Sequence, residues 1–182
     1  RMKTLLLCAD DLGQNPAIDE ACIHLFEMGR LSAASVLSEA PHAATHQQAL
    51  RQANDEGLQL GLHFNLTLPF QRLQPKKNLA TWIIQSQLQL VDTVFIKKSL
   101  LYQLQLFEDL FLRPPNFIDG HQHVHQFKQI RDVLIQTLRE RYPSHQLPWL
   151  RSTALSPKKK RPPHYLKCLV LEIQTSNART DD

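Results

Sequence analysis

The sequence predicts an α/β fold built on a parallel sheet, and three observations carry that expectation. Short apolar runs alternate along the chain with stretches of helical period. The first run is continuous rather than alternating, as in strands buried on both faces. Aspartates and histidines then fall just after several of these runs, where α/β folds collect their functional groups.

Residues 4–9 (TLLLCA) form the first expected strand, interrupted by Asp10-Asp11-Leu12-Gly13. Asn15-Pro16 supplies a helix cap and a first-turn proline, and Ile18, Cys22, Leu25 and Phe26 share the face of the helix that follows, with Gly29 as its stop. Residues 33–37 are the second strand, 41–53 the second helix, and 58–66 (LQLGLHFNL) the third strand. Residues 68–90 break the rhythm and read as an insertion over one edge. A long helix over 91–112 ends at Arg113-Pro114-Pro115, because each proline removes a donor and restricts the residue before it. The fourth strand begins at 116–118 and runs into Asp119-Gly120. A helix over 127–141 places Ile130, Val133, Leu134 and Leu138 on one face, and 147–150 is a fifth strand. A basic run at 158–161, an apolar segment at 165–173 and a polar tail at 176–182 follow. The whole chain, 1–182, reads as one domain, with 152–182 as an atypical C-terminal segment.

The 182 residues carry a net charge of +4, with 42% hydrophobic and 21% charged residues, which suits a chain with a buried core rather than a disordered one. No apolar run approaches the ~20 residues of a membrane-spanning helix. No charged-then-apolar leader opens the chain, so a cytoplasmic protein without a membrane span is expected. Cys8, Cys22 and Cys168 are odd in number and far apart, which excludes a disulfide scaffold and a cysteine-ligated zinc site. The positive surplus is small and the basic run lacks interleaved aromatics, so no nucleic-acid partner is expected. The sequence leaves room for a homodimer.

The chemistry-bearing residues lie after different strands. Asp11, His63 and His121 supply one carboxylate and two imidazoles, an open metal site with positions left for water and substrate. Adjacent aspartates are costly together without a cation, so Asp10-Asp11 invites the same reading; the plain alternative is that the pair caps the helix near Pro16. Residues 121–125 read HQHVH. In extended backbone His121, His123 and His125 share a face, and in a helix only His121 and His125 do; a solvated histidine-rich loop is the alternative. Arg151 follows the fifth strand, to position a substrate hydroxyl or acidic group or to pair with a carboxylate. Cys8 reads as a small buried hydrophobe. Two histidines and a carboxylate suit zinc and also non-haem iron, which makes an iron oxygenase a rival class, although its usual fold is a β-rich jelly roll.

LLLCADDLG, GLHFNLT and IDGHQHVHQF, in this order over roughly residues 3–151, resemble the three signature stretches of YdjC/ChbG-like carbohydrate (chitooligosaccharide) deacetylases. The resemblance implies an irregular (β/α) barrel of the glycoside hydrolase/deacetylase type. It also implies a divalent metal, Mg2+ by family habit with Zn2+ allowed by the ligands, and removal of an acetyl group from an N-acetylated sugar or sugar-containing metabolite. Carried over by position, Asp11, His63 and His121 are the metal ligands and Asp10 the base. His125 is the preferred proton donor to the departing amine, and Arg151, His123 and Asn65 are substrate contacts. Leu12 stands where the family more often has Phe. The family's late His-Pro-Gly stretch is missing, so the barrel is expected to be incomplete at its C-terminal side. A catalytically weak or inactive carbohydrate-binding protein that retains the metal is the second reading.

Overall fold

The computed structural model describes residues 6–73, 76–152 and the backbone of 170–173. The basic run at 158–161, the tail at 176–182, Cys168 and the first two residues of the expected opening strand lie outside the described residues. In chain order the elements are β1 (Leu6–Leu12), α1 (Pro16–Glu27), β2 (Ala33–Val36), α2 (Gln47–Asp55), β3 (Gln59–Phe64), α3 (Leu79–Gln87), α4 (Thr93–Phe111), β4 (Phe117–Gly120), α5 (Lys128–Arg141), β5 (Trp149–Leu150) and β6 (Val170–Ile173). They form one sheet in the order β5-β4-β3-β2-β1-β6, and every pairing is parallel. This is the α/β architecture that the alternation predicts. Among the described residues the sheet is open, with β5 and β6 at its edges.

The helices begin where side chains can satisfy their first N–H groups. Asn15 accepts from the Ala17 N–H at 3.0 Å, Asn78 from Thr81 at 2.9 Å and Asp92 from Phe95 at 3.0 Å. α4 stops at Leu112, which adopts φ 57° directly before Arg113-Pro114-Pro115. Two stretches differ from expectation. Residues 41–46 coil in turns and α2 starts only at Gln47, because the His42 N–H is held by Gly13 O at 3.0 Å. The segment over 68–90 contains α3, whose Trp82 is fully buried. The Trp82 indole N–H donates to Leu66 O at 3.1 Å and its ring stacks on Phe95, so this stretch carries part of the core.

Alternation along the strands separates two faces. Toward the helices point Ala34 and Val36 of β2, Leu60, Leu62 and Phe64 of β3 and Ile118 of β4, all within the main core and no more than 1% exposed. The opposite face is built in two levels. Cys8, Ala33 and Phe117 form a small apolar cluster, and Phe117 stacks on Trp149 with ring centroids 4.6 Å apart. Gly61 belongs to this level because a Cβ there would sit 2.5 Å from the Phe117 ring. One step nearer the carboxyl ends come Asp10, Ser35, His63, Asp119 and, just past β5, Arg151.

Candidate functional site

The site is assembled by two irregularities, one within β1 and one just after β4. Between Ala9, which pairs with Ala34, and Leu12, which pairs with Val36, β1 carries an extra residue. Such a bulge re-aims side chains. Here Asp11 takes φ 65°, so that β1 continues through the aspartate pair instead of ending before it. The cap of α1 is Asn15, and the two aspartates turn to the rim. The second irregularity lies in the 3₁₀ segment His121–Gln126, where Gln122 and His123 adopt φ of 53° and 59°. The HQHVH stretch is therefore neither a strand nor a regular helix, and its three histidines go to different places.

Asp11 and His121 meet across the sheet, with His121 Nδ1 2.8 Å from Asp11 Oδ1, and His63 Nε2 lies 3.1 Å from the same oxygen. The ligand atoms of all three residues fall within 4.8 Å of one another. On the other side of its ring, His63 donates Nδ1–H to Asp119 Oδ1 at 2.7 Å, its register partner on β4. A second carboxylate behind a histidine fixes the tautomer and turns Nε2 toward the site. Ser35 Oγ, 3.0 Å from His63 Nδ1, donates to Asp10 Oδ1 at 3.2 Å.

Arg151 is the buried counter-charge. Its Nη1 donates to Asp10 Oδ1 at 2.6 Å and to Asp119 Oδ2 at 2.7 Å. This is the carboxylate pairing that the sequence reading allowed for Arg151. The Cys8 thiol also reaches Asp10 Oδ1, at 3.4 Å. Among the described residues, every hydrogen bond given to Asp10 falls on Oδ1.

The other expected residues lie elsewhere. His125 is buried, its Nε2–H donating to Arg151 O at 3.0 Å, while its Nδ1 has no partner among the described residues. A Cβ at Gly120 would stand 2.9 Å from that nitrogen, so glycine is what admits the ring. His125 thus braces the backbone of Arg151 from below the rim. His123 is half-buried, its ring 6.3 Å from that of His125. Asn65 builds the turn after β3: its Oδ1 accepts the N–H groups of Thr67 and Leu68 at 3.0 and 2.9 Å, and its backbone is held on both sides by Gln103.

Charge explains the proton affinities. Burial would lower His63, but the Asp119 and Asp11 carboxylates more than reverse this and bring it up to about 10. Burial would raise Asp11, yet its bonds to His121 and His63 hold it well below the carboxylate range. Asp119, more deeply buried than Asp11, is held down by His63 and Arg151. Burial pushes the Cys8 thiol far up, so it stays neutral, and lowers His125 to about 4, so it too is neutral.

These residues fit a divalent cation. Asp11 Oδ1 lies 3.1 Å from His63 Nε2 and 2.8 Å from His121 Nδ1, near the ~3.0 Å that separates adjacent ligands of an octahedral ion with ~2.1 Å bonds. The charges agree: three carboxylates (Asp10, Asp11, Asp119) face one guanidinium. With neutral imidazoles, the rim lacks the two positive charges that such an ion carries. Ser35 and Asp119 are the participants that sequence reading left without a role. Ser35 hides as the one hydroxyl in AASV, and only its register beside β3 gives it meaning.

Fold and site together define a parallel α/β protein with an acid–histidine rim, and the comparisons specify the family. The profile of the YdjC-like proteins matches residues 4–179, and the chain belongs to that family. It is 37% identical over 145 residues to a chitooligosaccharide deacetylase of Enterobacter sp. (strain 638), a match covering 74% of this chain and 55% of the relative. It is 28% identical over 149 residues to a carbohydrate deacetylase of Xenopus laevis, covering 75% and 47%. The chain spans about half the length of the curated relatives it matches. Among solved structures, an Enterococcus faecalis V583 protein whose suggested role is cellobiose-phosphate cleavage superposes with a TM-score of 0.67 at 22% identity. That match covers 85% of this chain and 61% of the other, and it shows the shared fold.

Proposed function

We propose that this chain is a metal-dependent amide hydrolase that removes the acetyl group from an N-acetylated sugar. The observation that carries the reading is the convergence of Asp11, His63 and His121 beside a carboxylate, Asp10, that is fixed by Arg151. The deacetylase names of the relatives supply the substrate class. A divalent ion held by Asp11, His63 and His121 would polarise the acetamide carbonyl and acidify a water. The donor set suits Zn2+, and the family habit is Mg2+.

Asp10 takes the proton of the attacking water. Arg151, Ser35 and Cys8 saturate Oδ1, so Oδ2 is the oxygen that accepts it. The departing amine needs that proton back. His125, neutral and turned to Arg151 O, is placed to hold the arginine, so in this reading Asp10 returns the proton. His123 and Asn65 are kept in this reading as substrate contacts. We read residues 1–182 as one domain acting in the cytoplasm, where Cys8 and Cys22 stay reduced. Among the described residues no helix is long and apolar enough to cross a membrane.

The test is acetate release from N-acetylglucosamine and its β-1,4-linked dimer, before and after treatment with a chelator. Turnover should disappear on chelation and return with Zn2+ or Mg2+. Turnover indifferent to chelation would contradict the reading.

A further inference from the structure

At the carboxyl ends of β2 and β3, five buried side-chain atoms find no hydrogen-bond partner among the described residues. They are Glu39 Oε2, Asn65 Nδ2, Thr67 Oγ1 and both amide atoms of Gln71. A chain of bonds ties together the segments that carry them. Glu39 Oε1 accepts the Arg72 N–H at 2.8 Å, the neighbouring Gln71 N–H is 3.2 Å from Leu68 O, and the Leu68 N–H donates to Asn65 Oδ1 at 2.9 Å. Asn65 stands two residues beyond His63. Exposure is 6% for Glu39 and 1% for both Asn65 and Gln71. Native chains rarely leave buried polar atoms without partners, and such groups mark a missing partner or a function. Gln71 leaves its donor and its acceptor unsatisfied at once, where leucine would fill the same space without that cost.

The character of the orphaned atoms selects the ligand. Glu39 Oε2 and Gln71 Oε1 accept, Asn65 Nδ2 and Gln71 Nε2 donate, and Thr67 Oγ1 does both. A sugar hydroxyl also does both, so a ring bearing several of them can meet donors and acceptors together. A phosphate or carboxylate offers only acceptors and would face the Glu39 oxygen. We propose that Glu39, Asn65, Thr67 and Gln71 form a subsite for the hydroxyl groups of a neutral sugar, next to the metal centre and admitted by displacement of the turn over 66–73. The subsite rests on the deacetylase reading for its ligand class, and it adds Glu39, Thr67 and Gln71 to the residues that select substrate.

Gln71→Leu removes the amide at nearly constant volume, and Glu39→Gln, a second variant, keeps the shape and removes the charge. Binding of N,N′-diacetylchitobiose by calorimetry and acetate release from it are measured on the same samples, with Tm as the control for folding. Gln71→Leu should keep or raise Tm, weaken sugar binding and raise KM by about tenfold, and leave kcat within about threefold, as expected for hydrogen bonds lost from binding alone. Unchanged binding in both variants, or lowered Tm with intact binding, would overturn the subsite. Wild-type binding that the variants lose, with no acetate released by any of them, would keep the subsite and overturn the deacetylase reading. Wild-type acetate release with variants that bind normally would do the reverse. A wild-type chain that neither binds nor cleaves the sugar would overturn both.

Discussion

The two faces of the sheet obey opposite rules. On the helix side, β2, β3 and β4 present Ala34, Val36, Leu60, Leu62, Phe64 and Ile118, and stability there is a matter of apolar volume. On the other side, the same strands present Ser35, His63 and Asp119, joined by Asp10 and Arg151 into a buried charged network. Buried ion pairs seldom add net stability, because desolvation offsets most of the attraction. A fold keeps such a network for what it holds in position. The helix-side face makes the fold, and the other face uses that rigidity to hold Asp11, His63 and His121 together.

The largest expected effect comes from breaking the charged face. Arg151→Met leaves the buried Asp119 and the part-buried Asp10 without their guanidinium, and denaturant unfolding should show a loss of about 3–5 kcal/mol. A loss below about 1 kcal/mol would mean that water reaches the network and that the face is not a dry scaffold.

The helix side should respond differently. Leu62→Ala opens a cavity in the main core and should cost about 2–5 kcal/mol, with metal stoichiometry unchanged in the folded protein. Its neighbour in space, Asp119→Asn, should do the converse. The asparagine keeps the shape but weakens the hold on His63, so metal affinity should fall by about 10–100-fold. Equal loss of affinity in the two variants would erase the distinction between the faces.

How much of this was legible in the sequence also divides by face. The helix side is written in hydrophobic period, and β2, β3, β4, α1 and α5 lie close to where the apolar runs place them. Asp11, His63 and His121 were legible as polar residues at strand ends. The means of bringing them together was not. The bulge at Asp10-Asp11 and the left-handed Gln122 and His123 are positive-φ conformations of non-glycine residues, held by contacts across the sheet that no local pattern encodes. His125 carries the same sequence signal as His121, yet a tight approach to Gly120 turns it into the interior. α3 has a weak signal because it fully buries one side chain, Trp82, among exposed and half-buried positions.

A smaller effect sharpens the account of charge. In the cation-free protein the carboxylates of Asp119 and Asp11 raise His63 to about 10, above the ~6.5 of an unfolded chain. Its protonation therefore stabilises the folded state fully below pH ~6.5, and that contribution is lost as pH rises toward 10. A divalent ion must displace the same proton, so its apparent affinity should climb by about tenfold per pH unit between pH ~7 and ~9, while the stability of the cation-free chain declines. Calorimetry of Zn2+ binding across that range checks the slope, and a flat profile would remove the proton from His63.

The central claim is that adjacent aspartates divide the labour, Asp11 holding the ion and Asp10 moving the proton. The most direct measurement is bound metal and acetate release, on the same folded samples, for wild type, Asp10→Asn and His121→Ala. Asp10→Asn should retain metal and lose about 10²–10⁴-fold in turnover, while His121→Ala should lose both together. Near-normal turnover in Asp10→Asn, or full metal occupancy in His121→Ala, would contradict it.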